Sequence, residues 1–301
     1  MARKKNAAPA KKAAKKDNSV LMFSIFGAAM LLMLLWLILS NTGVLSHLGS
    51  KKLKFSTDGL TEYQKVSCYD AAKVYYGYSV YYNTEDGGTA RVDYDKNGKL
   101  SLASYYNQEG DAVRVLSASN GELSTVTDNT YEYDEHGNMT SYISTYGRIT
   151  DGYVRYDKPN AAVTFTYVYD GSGNMTSRSR TGSSGTTVTT YKNVYDSQGA
   201  LTSVEVYDKD GAMTQLTRYR ADGGKDSVES YSNGQLAELE QYDEHSNMTQ
   251  HLFYKDGKQD LGSGNLYTYD YNSDGTIAIK YDAADDSSSY NYYYVYEYPA
   301  A

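Results

Sequence analysis

Residues 201–254 read LTSVEVYDKDGAMTQLTRYRADGGKDSVESYSNGQLAELEQYDEHSNMTQHLFY, and in this region a tyrosine returns about every twelve residues. The tyrosines at this period are Tyr195, Tyr207, Tyr219, Tyr231, Tyr242 and Tyr254. The intervals between them are 12, 12, 12, 11 and 12 residues. Tyr195 and Tyr207 precede the turn signal Asp-x-x-Gly, which is followed by apolar residues and then Thr. A fixed short period indicates one supersecondary unit that is copied along the chain.

Each unit divides into roughly eight strand residues and four turn residues. Asp208 stands where a type I turn uses a side-chain acceptor, and Gly211 stands where the chain needs a positive φ. Ser232-Asn233-Gly234 is a shorter hairpin signal of the same kind. Because such turns reverse the chain, neighbouring strands must be antiparallel. The 35 Tyr, 26 Gly and only 3 Pro support this interpretation, since Tyr favours strands, Gly favours tight turns and Pro breaks a sheet ladder.

These signals predict an all-β repeat protein. We expect an elongated, twisted antiparallel β-meander, or open spiral sheet, of hairpin repeats in an extracytoplasmic domain at residues 60–301. Apolar residues in the strands do not alternate strictly, which predicts bulges. Stability is then expected to come from contacts between neighbouring units rather than from one deep core.

The recurring units resemble those of the YD-repeat, or RHS-repeat, family. Copies that carry the resemblance are YDKNGKLS (94–101), YDEHGNMT (133–140), YDGSGNMT (169–176), YDSQGALT (195–202), YDEHSNMT (242–249) and YNSDGTIA (271–278). The resemblance implies an antiparallel sheet like the spiral shell that long family members curl around a toxin. The shorter unit YSNGQLAELEQY (231–242) is similar to MORN-type repeats, which form an open, twisted sheet. Both resemblances imply the same architecture of antiparallel hairpins.

An uncharged apolar segment lies near the N-terminus. The twenty residues from Val20 to Leu39 read VLMFSIFGAAMLLMLLWLIL, and as a helix they would span roughly 30 Å, the thickness of the hydrocarbon core. This segment predicts a transmembrane helix at 20–39 that contacts the lipid bilayer, between a basic disordered tail at 1–19 and a juxtamembrane linker at 40–59. A cleaved signal peptide is the alternative, but its apolar region is usually shorter.

The distribution of charge predicts an orientation and excludes one class of partner. Residues 1–40 hold seven of the 29 basic and one of the 37 acidic residues, which leaves 22 basic and 36 acidic residues and a net charge of −14 for the remainder. The positive-inside bias places the N-terminus in the cytoplasm and the repeats outside a cell membrane that the chain crosses once. An acidic body argues against nucleic acid and leaves a glycan, a cell-wall polymer or a protein as the expected ligand.

The sequence shows no catalytic, cofactor-binding or metal site, and we expect the protein not to be an enzyme and to need no cofactor. His136 and His245 occupy the same turn position in two repeats, which indicates turn residues rather than catalytic bases. His47 lies beside the apolar segment, and His251 is a single strand histidine. No Gly-rich phosphate loop, nucleophile elbow or paired metalloprotease histidines occur.

Two segments match the first half of a calcium-binding EF-hand loop. They contain Asp93, Asp95 and Asn97 in the first and Asp270, Asn272 and Asp274 in the second. The twelfth loop position, where a bidentate Glu is needed, holds Ser104 and Tyr281. Two interpretations therefore remain open. The segments bind Ca²⁺ weakly, or their Asp and Gly residues only form the turns of the repeat.

The C-terminal strand carries Tyr at every second position, namely Tyr290, Tyr292, Tyr294, Tyr296 and Tyr298. One interpretation is a terminal strand that pairs with the array and covers its neighbours. The other is an aromatic platform for a glycan or for another strand.

Together these features predict a single-pass, membrane-anchored surface protein whose β-repeat ectodomain has a structural, adhesive or binding role. An accessory or remnant of an RHS-type toxin-delivery shell is the alternative function.

Overall fold

The computed structural model describes residues 52–171, 173–287 and 289–299, and none of these residues is helical. They form twenty strands. The first ten are β1 (Leu60–Asp70), β2 (Tyr75–Thr84), β3 (Thr89–Asp95), β4 (Leu100–Tyr106), β5 (Ala112–Ser119), β6 (Glu122–Tyr133), β7 (Met139–Thr150), β8 (Tyr153–Tyr156), β9 (Val163–Tyr169) and β10 (Met175–Gly182). The others are β11 (Gly185–Tyr195), β12 (Leu201–Tyr207), β13 (Met213–Tyr219), β14 (Lys225–Ser232), β15 (Gln235–Tyr242), β16 (Met248–Lys255), β17 (Lys258–Gln259), β18 (Asn265–Tyr271), β19 (Ile277–Ala284) and β20 (Tyr292–Glu297).

The strands close into a ring. Consecutive strands pair antiparallel along the chain, with β7 continuing to β9 and β16 to β18, while β8 and β17 are short additions to β7 and β16. The last strand, β20, pairs with β19 on one side and with β1 on the other. The ring therefore contains 18 of the 20 strands, with the connectivity of an antiparallel β-barrel.

This closure corrects the predicted fold class. The expected antiparallel hairpin strands are present. The prediction of an elongated open or spiral sheet was wrong, because β1 and β20 pair with each other over six residue pairs and leave no open edge between them. The predicted transmembrane helix at residues 20–39 lies outside the described residues. Within the part of the chain that the structure describes, no helix has the length and apolarity needed to cross a membrane.

Two kinds of turn connect the strands. Four two-residue turns have positive φ at both positions, as type I′ hairpins require, and these are Asn120-Gly121, Asp151-Gly152, Asn233-Gly234 and Asp256-Gly257. The longer turns start at the repeated Asp. In the turn that begins at Asp134, the carboxylate accepts the backbone N–H groups of His136 and Asn138, and Gly137 has φ 78°. A bulge accompanies most Tyr-Asp turns, as the irregular spacing of apolar residues predicts.

The most deeply buried residues lie in β2–β6. They form one row of directly opposed side chains, Val80, Val92, Ala103, Leu116 and Val126. Val92, Ala103 and Val126 have 0 % exposure. Leu53 and Phe55, which precede β1, pack against this cluster, and the Leu53 N–H donates to the Gly152 carbonyl at 2.8 Å. The chain therefore has a local core in β2–β6, which neighbour contacts alone do not predict.

Candidate functional site

The candidate site lies at the seam, which we define as the region where β20 joins β1 and β19. Cys68 on β1 lies directly opposite Tyr294 on β20, and Tyr294 lies directly opposite Lys280 on β19. Directly opposed residues of an antiparallel sheet project from the same face. The seam thus brings together side chains from the first and last strands of the described chain.

A cavity of about 370 Å³ opens on this face, and we call it the seam cleft. This volume falls within the size range of small-molecule sites. Its walls are formed by Val66, Cys68, Tyr76, Gly77, Tyr78, Ser79, Tyr81, Arg91, Asp93, Tyr94, Lys280, Tyr294 and Tyr296. Six of these thirteen residues are tyrosines, whose side chains combine an aromatic ring with a polar group at the tip.

The tyrosines of β20 supply one wall. Tyr294 and Tyr296 are both half-buried and belong to the alternating tyrosines of the last strand. Burial raises the pKa of each hydroxyl to about 12, so both remain neutral hydrogen-bonding groups at physiological pH. The structure thus shows that β20 pairs with its neighbours on both sides and also lines a cavity.

Lys280 provides a positive charge beside these rings. Its Nζ lies 4.0 Å from the centre of the Tyr267 ring and 5.7 Å from that of Tyr294, which are cation–π distances. Burial lowers the pKa of the Lys280 ammonium, although the charge of Asp282 acts in the opposite direction. Burial also raises the pKa of the Asp282 carboxyl, against the attraction of Lys280. The Lys280 ammonium group is therefore a partly desolvated cation whose close contacts are mainly with aromatic rings.

A hydrogen-bonded network forms the opposite wall. The Asp93 Oδ1 atom accepts a 2.5 Å hydrogen bond from the Ser79 hydroxyl and a 2.8 Å hydrogen bond from Arg91 Nε. The Arg91 guanidinium also lies 5.8 Å from the centre of the Tyr81 ring. These contacts fix one carboxylate and one guanidinium in a defined geometry, as a specific polar ligand requires.

Gly77 allows β2 and β3 to approach closely at the cleft. Its φ is 142°, and a Cβ atom at this position would lie 2.3 Å from the Tyr94 carbonyl oxygen. Any other residue would therefore push β2 away from β3. Glycine is needed here to keep Tyr78 and Tyr94 stacked, with their ring centres 4.7 Å apart.

The residues considered for calcium do not converge. Asp93 faces the seam cleft and accepts hydrogen bonds from Ser79 and Arg91. Asp95 instead accepts the backbone N–H groups of Asn97 and Lys99 within its own turn.

The second calcium segment is equally dispersed. Asp270 accepts the Tyr281 hydroxyl at 2.9 Å, Asp274 accepts the Thr276 hydroxyl at 2.6 Å, and Asn272 donates its side-chain amide to Thr276 at 3.0 Å. Among the described residues, no group of three His, Cys, Asp or Glu side chains is arranged to hold a metal ion. In both segments one acid, Asp95 or Asp274, stabilises its own turn, whereas Asp93 and Asp270 bond to side chains of neighbouring strands.

The histidines contact aromatic rings. The His136 ring lies 4.6 Å from that of Tyr169, and the His245 ring lies 4.9 Å from that of Tyr271, so the same turn position makes the same contact twice. His251 packs against Phe253 at 4.5 Å. His47 falls outside the described residues. None of the three described histidines lines the seam cleft.

The sequence did not single out Ser79, Arg91 or Lys280, which are functional candidates only because the ring closes. The signal that was available is the run of alternating tyrosines in β20, whose interpretation as a ligand platform includes Tyr294 and Tyr296. Ser79 and Arg91 lie more than 200 positions away from these tyrosines in the sequence, on β2 and β3, whereas Lys280 lies on the preceding strand of the chain, β19.

Charged residues occur on both faces of the sheet in β12–β16. Glu205 and Glu229 lie on one face, where they pair with Lys192 and Arg218. Glu240 lies on the other face, directly opposite Val228 and His251. A closed sheet that crosses a bilayer presents a continuous apolar band to the lipid. This part of the ring has no such band on either face.

Comparison with known proteins gives no family. No family model matches the sequence, and no curated protein shows a significant match. A solved structure of a porin-like protein from Bacteroides uniformis aligns with 82 % of this chain and 100 % of its own chain, at 11 % sequence identity and a TM-score of 0.35. A likeness this weak does not support a transfer of fold or function. The resemblance to YD repeats stays a prediction.

The predicted function and location are corrected together with the fold from which they were inferred. We predicted a surface protein that is anchored by one helix, has its N-terminus in the cytoplasm and displays an open adhesive repeat domain. The closed ring of strands does not fit this prediction. Among the described residues, no helix is long and apolar enough to be such an anchor. The alternative, an accessory or remnant of an RHS-type toxin-delivery shell, is overturned by the same closure, because the pairing of β1 with β20 leaves no free edge there for a partner that completes a shell.

Proposed function

We propose that the protein binds a carbohydrate in the seam cleft. The observation that carries this proposal is the make-up of the cleft walls. Rings of Tyr294 and Tyr296 stand opposite the network formed by Ser79, Arg91 and Asp93, around a cavity of about 370 Å³.

This combination matches the two kinds of surface that a sugar ring presents. The C–H groups on the face of a sugar pack against an aromatic ring, and weak C–H contacts add to this packing. The hydroxyl groups at the edge of the sugar donate to a carboxylate such as Asp93 and accept from a guanidinium such as Arg91. Tyrosine suits such a site because it offers a large, rigid and amphipathic contact area at low conformational cost.

Two other classes of ligand, apolar molecules and nucleic acids, are disfavoured. A wholly apolar ligand would remove the remaining donor atoms of Arg91 and acceptor atoms of Asp93 from water without offering them new partners, which costs free energy. Nucleic acid is disfavoured because the residues after position 40 carry a net charge of −14.

A transmembrane pore is a second function that a closed antiparallel ring with an even number of strands suggests. The charged residues on both faces of β12–β16 count against it, because a bilayer would contact one of those faces. Most of these strands contain seven or eight residues, fewer than the roughly nine to eleven that cross a bilayer. We therefore favour ligand binding.

The proposal is tested by isothermal titration of the full-length protein with a panel of neutral and acidic oligosaccharides. At least one oligosaccharide should bind. Replacement of Tyr296 by Ala should weaken its binding by about tenfold or more, as expected for the loss of an aromatic contact in a binding centre. Tyr254→Ala is the matched control, because Tyr254 lies in β16 outside the cleft. If the panel does not bind, or if both variants bind like the parent protein, the proposal is wrong.

A further inference from the structure

We infer that the carbohydrate bound in the seam cleft is acidic and that Lys280 binds its carboxylate. This inference rests on the function proposed above and adds the chemical class of the ligand. It is drawn from the distribution of charge around the cleft and from the surroundings of the Lys280 ammonium group.

The cleft carries the opposite charge to the body of the protein. The residues after position 40 have a net charge of −14. Among the residues that line the cleft, the charged groups are Arg91, Lys280 and Asp93, which give a net positive charge. A local excess of positive charge on an acidic protein attracts an anion to that place.

The two cations of the cleft are not equivalent. Arg91 donates to Asp93 at 2.8 Å, so its charge is already balanced. Within the described part of the chain, Lys280 forms no ion pair with a carboxylate, and its close contacts are the rings of Tyr267 and Tyr294. Asp282 attracts it from two residues along the same strand. Lys280 is therefore the cation that is available to a ligand.

Lys280 is also placed next to the aromatic surface that would hold a sugar. It lies directly opposite Tyr294, so its side chain leaves the same face of the sheet. A sugar packed on the β20 tyrosines would bring a ring substituent towards the ammonium group. A carboxylate there would give the half-buried cation a charged hydrogen-bond partner in a partly desolvated setting, where such a pair is stronger than in water.

A purely structural role for Lys280 is the competing explanation, since its cation–π contacts with Tyr267 and Tyr294 could serve only to order the seam. The two roles predict different effects of Lys280 on the binding of acidic and neutral ligands. A structural lysine affects the binding of acidic and neutral ligands alike. A ligand-binding lysine controls the preference between them.

The experiment compares the binding of oligogalacturonate and of the neutral oligogalactose of the same length to the full-length protein at low salt. The acidic sugar should bind about tenfold more tightly, as expected for one charge-assisted contact, and the preference should decrease with added salt. Lys280→Gln should abolish the preference, whereas Lys280→Arg should retain most of it. Lys192→Gln is the control, because Lys192 pairs with Glu205 outside the cleft.

The outcomes separate this inference from the proposed function. If both sugars bind equally well, or if Lys280→Gln keeps the preference of the parent protein, the inference is wrong while carbohydrate binding stands. If neither sugar of this pair binds but other neutral oligosaccharides do, the acidic assignment is again wrong. If no oligosaccharide binds, both proposals are wrong.

Discussion

The Tyr133 hydroxyl donates a 2.7 Å hydrogen bond to Asp111 Oδ2, although Tyr133 ends β6 and Asp111 belongs to the turn between β4 and β5. The Asn107 side-chain amide, at the start of the same turn, donates to the Tyr133 oxygen at 2.6 Å. One tyrosine therefore joins two turns that lie two strands apart on the same edge of the ring.

This linkage recurs along the edge. Tyr169 bonds to Asp134 and Asn138, Tyr195 to Asp170 and Asn174, and Tyr271 to Asp243 and Asn247. In these three turns the acid comes first and the amide fifth, whereas Asn107 and Asp111 have the opposite order. The pairs Tyr133-Asp134 and Tyr169-Asp170 thus have two tasks, because the tyrosine binds the preceding turn on that edge and the aspartate shapes its own turn and receives the next tyrosine.

Replacement of Tyr133 by Phe should destabilise the protein by about 0.5–1 kcal/mol, because one partly exposed hydrogen-bonded hydroxyl is lost. Urea unfolding measures the change. Tyr219→Phe is the matched control, since Tyr219 also ends a strand on this edge but its hydroxyl makes no hydrogen bond among the described residues. Equal stability of the two variants would contradict a structural role for the linkage.

Ser246 offers a stabilising substitution. It has φ 65° and occupies the position that Gly137 holds, with φ 78°, in the corresponding turn. A left-handed conformation costs an L-residue more than the added chain entropy of glycine, so Ser246→Gly should stabilise the protein by about 0.5 kcal/mol. Gly137→Ser should destabilise it by a similar amount. Thermal unfolding checks both, and a loss of stability in Ser246→Gly would show that the hydroxyl compensates for the strain.

The closure of the ring can be tested with a single new cysteine. Cys68 and Tyr294 are directly opposed, at a Cα separation of roughly 4.5–5.5 Å in an antiparallel pair, which a disulfide can span. Tyr294→Cys should therefore form an intramolecular disulfide with Cys68 under mild oxidation, as detected by peptide mass spectrometry. Val295→Cys is the control because it projects from the other face. An uncrosslinked Tyr294→Cys protein would indicate an open seam.

Stability should fall at alkaline pH. Burial, as the largest cause, raises the pKa from 10.0 to about 12 for Tyr94, Tyr133, Tyr231, Tyr242, Tyr294 and Tyr296. Since the unfolded chain loses these protons first, the stabilising effect is complete below pH 10 and is lost as the pH rises towards 12. Urea unfolding across this window should show a decreasing free energy of unfolding. A constant free energy would mean that these hydroxyls are solvated in the folded protein.

The sequence allowed the local structure to be predicted but not its closure. The Tyr-Asp turns and the Asn233-Gly234 hairpin lie where their residue chemistry places them, because a turn depends on a few adjacent residues. Whether β20 meets β1 depends on the summed twist and register of all intervening strands. No single repeat encodes that quantity.

The same limit applies to the site. The alternating tyrosines of β20 are visible in the sequence as a possible platform, but nothing in the twelve-residue period pairs Tyr294 with Cys68 or brings Arg91 near Tyr296. These relationships come from contacts between the two ends of the described chain. Leu53 and Phe55 were likewise assigned to a linker, although they pack on the buried cluster of β2–β6.

The position of β20 between β1 and β19 has a consequence for aggregation. Removal or fraying of this one strand would uncover two unpaired borders at once, and each would offer free N–H and C=O groups to a second molecule. Variants that loosen this strand should thus be recognised first by self-association, and only afterwards by loss of secondary structure.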